Sequence, residues 1–285
     1  MSLRGAAAVG AAIALLYAPV AAGLARQWYE DPASSHGIVL IAAAAIVLRR
    51  RWRTLTAMPW APSNAGFIAL ACSLILYAAA SLAGELFVLR VSAVASLAAV
   101  VLTLAGPQPL RLLAAPFALI LLAIPLPAVV VTSLTLRLQL VASQMAAAML
   151  NGIGIGAVRD GNLLTLSSVT LEVAEACSGL RSIVSHIALI AVYNAVGRVR
   201  ARDAILLMAA TLPVAIVGNA VRVTATGVLA HVIGPWTARG WIHDLAGYAA
   251  FTGMCLALAG LYWIVVRRRA VAAHGEACES HALAW

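Results

Sequence analysis

The 285 residues are 64% hydrophobic and 10% charged, with a mean hydropathy of +0.99. Soluble domains carry roughly 25% charged residues, so this chain cannot present an ordinary water-facing surface, and apolar stretches recurring from end to end exclude a soluble domain on a single anchor. The net charge of +9 is carried by arginine alone, and although a pI near 10.3 would suggest nucleic acid in a soluble protein, these arginines sit in short clusters between apolar segments, where membrane topology accounts for them.

A spanning helix needs about 20 largely apolar residues. Eight such segments are predicted, at 6–25, 36–49, 65–83, 88–106, 112–131, 178–197, 204–223 and 244–266. The first imitates a signal peptide, but the many spans behind it favour a retained helix. Pro125 and Pro127 are expected to kink or end the fifth, because each removes a backbone donor. Arg4 precedes the first span and Arg111 lies between the fourth and fifth. The clusters Arg49-Arg50-Arg51-Arg53, Arg198-Arg200-Arg202 and Arg267-Arg268-Arg269 follow the second, sixth and eighth. With eight spans all five places fall on one side, which the positive-inside rule makes cytoplasmic, together with both termini. The expected fold is therefore an all-α polytopic membrane bundle of about eight transmembrane helices. It forms one domain over 1–269, with a short cytoplasmic tail at 270–285.

The opposite face receives 27–35, a turn near Glu85, and the segments 132–176 and 224–243. Segment 134–150 carries enough polar residues to lie along the interface or to pack between helices. Beyond the glycine-rich turn at 151–156, the alternating run from Asn162 to Val173 predicts a small periplasmic β-hairpin turning at Ser167-Ser168, before the sixth span.

Chemistry is concentrated at the outer ends of three spans. Cys177 lies at the mouth of the sixth, where unpaired N–H groups and the helix dipole stabilise an anion and lower a thiol pKa. Arg181, four residues on, would share its helix face. Either Cys177 is a thiolate nucleophile or it is a buried small residue. Asn219 and Arg222 share one face near the outer end of the seventh span. An arginine at that depth is functional, paired, or snorkelling to the headgroups. His243 and Asp244 open the eighth span, the imidazole as a general base that Asp244 orients or charges, or as an idle interfacial histidine. Brought together, a thiol, an imidazole and a fixed cation suffice for acyl transfer. Cys177 would attack a carbonyl, His243 would move protons, and Arg222 would hold the oxyanion.

Other candidates read more plainly. His186, deeper in the sixth span, fits a hydrogen-bonded core histidine, and His231 is a substitute base in the outer loop. Glu172 and Glu175 are solvated loop carboxylates or contacts for a basic substrate. Cys72 and Cys255 lie in apolar spans, where a thiol acts as a small hydrophobe. The four cysteines imply no disulfide framework, and His274, Glu276, Cys278, Glu279 and His281 are too loosely spaced for a metal site. No cofactor is expected.

At these residues the chain resembles the exosortase/archaeosortase family of multi-pass membrane cysteine transpeptidases. Asp31-Pro32 with Ser35-His36-Gly37, Leu126-Pro127, Gly161-Asn162, EACSGLR at 175–181, Asn219 to Arg222, and His243 to Gly247 match its landmarks in order, over roughly residues 25 to 266. The resemblance implies Cys177, Arg222 and His243 as the active residues, with Arg181 in support. It also implies a bacterial inner-membrane enzyme that cuts the C-terminal sorting tail of exported proteins, a Pro-Glu-Pro-type motif followed by an apolar helix and a basic end. The partners would be that tail and the bilayer, with no nucleic acid. His36 matches without an evident role. The rivals are a transporter or polysaccharide-export component without covalent chemistry, and a scaffold that has kept the shape alone.

Overall fold

A computed structural model describes residues 3–167, 169–173, 179–197 and 200–282. The described chain is mostly helical. It runs α1 (Leu3–Glu30), α2 (His36–Ala57), α3 (Ala65–Ala83), α4 (Leu86–Leu104), α5 (Pro107–Leu112), α6 (Ala114–Leu122) and α7 (Ala128–Gly152). Then come β1 (Ala157–Asp160), β2 (Leu163–Leu166), β3 (Thr170–Glu172), α8 (Leu180–Ala195), α9 (Ala201–Val232) and α10 (Gly240–Ala282).

Among the described residues, six helices are long and apolar enough to cross a membrane: Ala8–Glu30 of α1, then α3, α4, α7 and α9, and Gly240–Val265 of α10. The eight predicted spans are thus not reproduced as eight such helices. Segment 36–49 belongs to α2, whose second half runs on through the arginine cluster to Ala57, too charged to qualify. Segment 112–131 is broken as its prolines predict, with α6 ending at Leu122 before Pro125 and Pro127. Segment 178–197 forms α8, which at 16 residues is shorter than a full crossing. Segment 134–150, expected at an interface or between helices, lies inside α7, a candidate span in its own right.

The chain divides into two compact units, Met1–Val131 with Ala191–Arg198, and Thr132–Ile190 with Val199–Trp285. In the first unit, packing follows the logic of helices in lipid, where small residues let backbones approach and polar side chains bond across. The buried positions of α3 are Gly66, Ser73 and Ala80, a seven-residue repeat, while Phe67, Ile68 and Ile75 point outward. Tyr17 of α1 bonds Ser92 and Ser96 of α4 at 3.1 and 3.0 Å, and Ser96 bonds Ser73 of α3 at 2.8 Å. Three helices therefore close one polar cluster on itself. The turn from α3 to α4 uses Gly84 in the left-handed region (φ 67°), with Glu85 capping α4.

Asp31 organises the link from α1 to α2, accepting from Ala33 N at 2.9 Å and from Ser34 Oγ at 2.6 Å. His36 finds its role here too, donating from Nδ1 to the Ala33 carbonyl at 3.1 Å. Gly37 lies flat against the Trp28 indole, where a Cβ would overlap the ring, and Trp28 Nε1 donates to the Ala123 carbonyl at 2.8 Å. At the far end of α2, Arg51 donates to the Leu112 carbonyl. The segment carrying α6 is therefore pinned at both ends against the α1–α2 hairpin.

In the second unit, the expected hairpin is present and larger than predicted. β2 and β3 pair antiparallel, with Leu164 opposite Leu171, and β1 adds a strand on the far side of β2, while Ser168 of the expected turn lies outside the described residues. The connection from β1 to β2 turns at Gly161 (φ 59°) and Asn162. A glycine at the first central position is what a tight two-residue hairpin of this hand requires. The sheet is tied to α7 by Ser143 Oγ donating to the Gly161 carbonyl at 2.8 Å, and by a reciprocal pair between the Asn151 amide and Ala157. Beneath it, Ala146 and Leu150 of α7, Leu164, Leu171 and Val173 of the sheet region, and Val223 and Ala230 of α9 form one core. α9 and α10 lie side by side, and Gly218 leaves room for the Met254 side chain.

Candidate active site

The second unit brings two of the three expected catalytic residues together. α9 buries Asn219, Ala220, Val223, Thr226 and Gly227 along one stripe, and Arg222 lies half-buried beside it. The chain leaves α9 at Ile233, passes Gly234 (φ 136°) and a 3-10 turn at Pro235–Ala238, and re-enters helix at Gly240 (φ 65°). Thr237 is buried in that turn and donates to the Gly234 carbonyl at 2.8 Å. So short a return brings the first turn of α10 back onto α9. His243 Nε2 thereby comes within 3.0 Å of Arg222 Nη2.

Guanidinium has only donors, so Nε2 accepts this hydrogen bond. His243 is then the neutral imidazole with its proton on Nδ1. Arg222 Nε and His243 Nδ1 are both shut off from solvent. One turn beyond His243, Gly247 faces the guanidinium, and a Cβ there would stand 3.1 Å from Nη2 and 3.3 Å from Cζ. Its lack of a side chain gives Arg222 its seat. Sequence alone marked Gly247 as a landmark without a task.

Cys177 lies outside the described residues, as does Glu175. The described chain resumes at Gly179, in the left-handed region (φ 80°), packed against Asn219 so that a Cβ would come 3.3 Å from the Asn219 Cβ. α8 begins at Leu180. The shared helix face expected of Cys177 and Arg181 turns on a residue outside the described ones. Arg181 is exposed, and so are Asp244 and His231. His186 is the core histidine expected, with Nδ1 donating to the Ser182 carbonyl at 2.6 Å and Nε2 facing Cys255 Sγ at 3.3 Å.

Arg222 and His243 open onto a cleft of about 760 Å³. Its walls are residues 169–173 with Leu163 from the sheet, Val223 and Thr226 from α9, and Trp236 and Arg239 from the link. Arg239 and Trp236 went unnoticed in the sequence, although an arginine between Trp236 and Trp241 is a recognisable interface signature. Among the described residues, no group of three or more His, Cys, Asp or Glu side chains is arranged to hold a metal ion.

No curated protein and no solved structure matches the chain. The family model described as transmembrane exosortase matches residues 28–265, which includes every residue of the site and most of the sequence. The chain belongs to the transmembrane exosortase family.

Proposed function

We propose that this protein is a membrane cysteine endopeptidase or transpeptidase that cleaves the C-terminal sorting tail of exported proteins through a thioacyl intermediate on Cys177. The observation that carries the proposal is the 3.0 Å contact between Arg222 and His243, from two helices, at a cleft of about 760 Å³. Gly179 supports it. Two residues of chain reach at most about 7 Å, and Gly179 already rests on Asn219, one turn before Arg222.

In this mechanism the guanidinium holds Nε2 until a substrate carbonyl enters the cleft. As the Cys177 proton passes to His243, Sγ attacks the carbonyl carbon. Arg222 turns from Nε2 to the developing oxyanion, where a fixed donor acts most strongly. The imidazolium gives its proton to the leaving amine, the C–N bond breaks, and the tail departs with its new amino terminus. Water, or an amine or hydroxyl acceptor, then attacks the thioester and restores the thiol. Asn219 braces Gly179 ahead of α8, while Arg181 and Asp244 support the site with exposed charge.

The arrangement suits a tail anchored in the bilayer, because an apolar helix held beside the protein aligns its scissile bond with the interface. Arginine placement supports eight crossings of a bacterial inner membrane, both termini and the 270–285 tail cytoplasmic, and the cleft periplasmic. Transport finds less support, since the intramembrane hydroxyls of the first unit bond to one another and do not string along a path. The test is Cys177→Ala in cells expressing a tail-bearing reporter. Processing stops while the variant still accumulates in the membrane. Continued cleavage by Cys177→Ala overturns the mechanism.

A further inference from the structure

β3 is an edge strand, with β2 on one side and no described strand on the other. Its hydrogen-bonding phase follows from the ladder. Leu166 N donates to the Val169 carbonyl and Val173 N to the Asn162 carbonyl, with Leu164 opposite Leu171. Antiparallel strands alternate hydrogen-bonded and non-bonded pairs, so residues 169, 171 and 173 turn their backbone groups toward β2. Thr170 and Glu172 then turn theirs outward. The 3.3 Å contact of the Thr165 and Thr170 hydroxyls, in a non-bonded pair, agrees with this phase.

Five consecutive residues, 169–173, line the cleft that holds Arg222 and His243. Successive side chains of a strand point to opposite faces. A cleft lying on one face would therefore be lined by alternate residues, whereas one lined by all five runs along the edge. The open backbone groups of Thr170 and Glu172, about 7 Å apart along the strand, look into the same space as the catalytic pair.

We propose that β3 binds the substrate as an added strand. An extended peptide segment of the tail pairs with the outward N–H and C=O groups of Thr170 and Glu172 and is carried past Arg222 and His243. This rests on the peptide-cleaving function proposed above and names how its substrate is held. Backbone pairing supplies affinity and register without reading side chains, and the exposed edge, ordinarily a liability, becomes the docking rail. Selection among sequences falls to the cleft walls, where Arg239 and Glu172 face the alternate side chains.

The test uses a synthetic tail peptide, a polar motif with its apolar helix and arginine end from one of the host's own exported proteins. A single N-methyl group is placed at successive positions upstream of the helix. Binding to the detergent-solubilised Cys177→Ala protein is measured for each peptide, and cleavage of the unmodified peptide by the unaltered protein is measured separately. Strand addition predicts that N-methylation weakens binding about tenfold at every second residue, the scale of one lost hydrogen bond, and less than about twofold between. Thr170→Pro, which deletes an outward donor, weakens it comparably, while Thr170→Ala, which keeps that donor, does not. A flat profile, a contiguous block of sensitive positions, or no binding of the unmodified peptide overturns strand addition. Cleavage with a flat profile leaves the enzymatic function standing without the docking rail, and alternation without cleavage does the reverse.

Discussion

Gly247→Ala separates positioning from folding at the candidate site. The new Cβ would stand 3.1 Å from Arg222 Nη2 and 3.3 Å from Cζ, short of a relaxed contact by about 0.3–0.6 Å. The guanidinium must yield by that amount. Its 3.0 Å bond to His243 then stretches past the useful limit of about 3.2 Å. If a misplacement of about 1 Å costs about a hundredfold in rate, half of that predicts a loss of about tenfold. Stability moves the other way or not at all, since alanine is the better helix former by up to about 1 kcal/mol. The assay is reporter-tail cleavage in isolated membranes beside thermal unfolding in detergent. Gly253→Ala and Gly260→Ala, on the same helix with open space around them, serve as controls and retain full activity. Full activity in Gly247→Ala, or equal losses in all three variants, refutes the claim that Gly247 seats the guanidinium.

Three further outcomes follow from the same geometry. Gly179→Ala places a side chain at φ 80° against Asn219, a strain of about 1–2 kcal/mol, so both cleavage and unfolding temperature fall. An unaltered variant contradicts the bracing of Gly179 by Asn219. His243→Ala abolishes cleavage while His231→Ala, on an exposed position outside the cleft, leaves it intact, and the reverse pattern makes His231 the base. Tyr17→Phe removes the hydroxyl shared with Ser92 and Ser96. Titration with denaturing detergent is expected to find a loss of about 0.5–1.5 kcal/mol, the range of hydrogen bonds between helices in lipid, with cleavage by the folded protein unchanged.

Where one rule acts alone, the sequence was a good guide. Segment 65–83 is α3 residue for residue, because an apolar run bounded by Asn64 and Gly84 leaves no other solution. Pro125 and Pro127 ended their helix by the missing donors. The predicted bounds fit less closely where two rules compete. In α2 the arginines expected to orient the chain also continue its helix, and α8 starts late because Gly179 adopts a left-handed conformation that an uninterrupted helix does not use. β1 was missed although Gly161-Asn162 between two apolar runs is a hairpin signal. Asn162, where the alternating run predicts a strand to begin, is part of the turn.

The site was half legible. Arg222 and His243 stand out as costly polar groups at span ends, but their contact depends on the compact link through Thr237 and Gly240, whose path no periodicity encodes. The docking edge of β3 is a property of pairing phase, which appears only once the strand register is known.

The central claim is that Cys177 is an outward-facing thiol governed by Arg222 and His243. It is tested most directly in a protein whose other cysteines, Cys72, Cys255 and Cys278, are replaced by alanine. The rate at which a membrane-impermeant maleimide labels Cys177 is measured from the periplasmic side of spheroplasts. The account predicts labelling without permeabilisation, slowed about tenfold or more in Arg222→Gln as the thiolate loses its neighbouring cation, and also slowed in His243→Ala. Labelling that requires permeabilisation, or a rate indifferent to both substitutions, contradicts it.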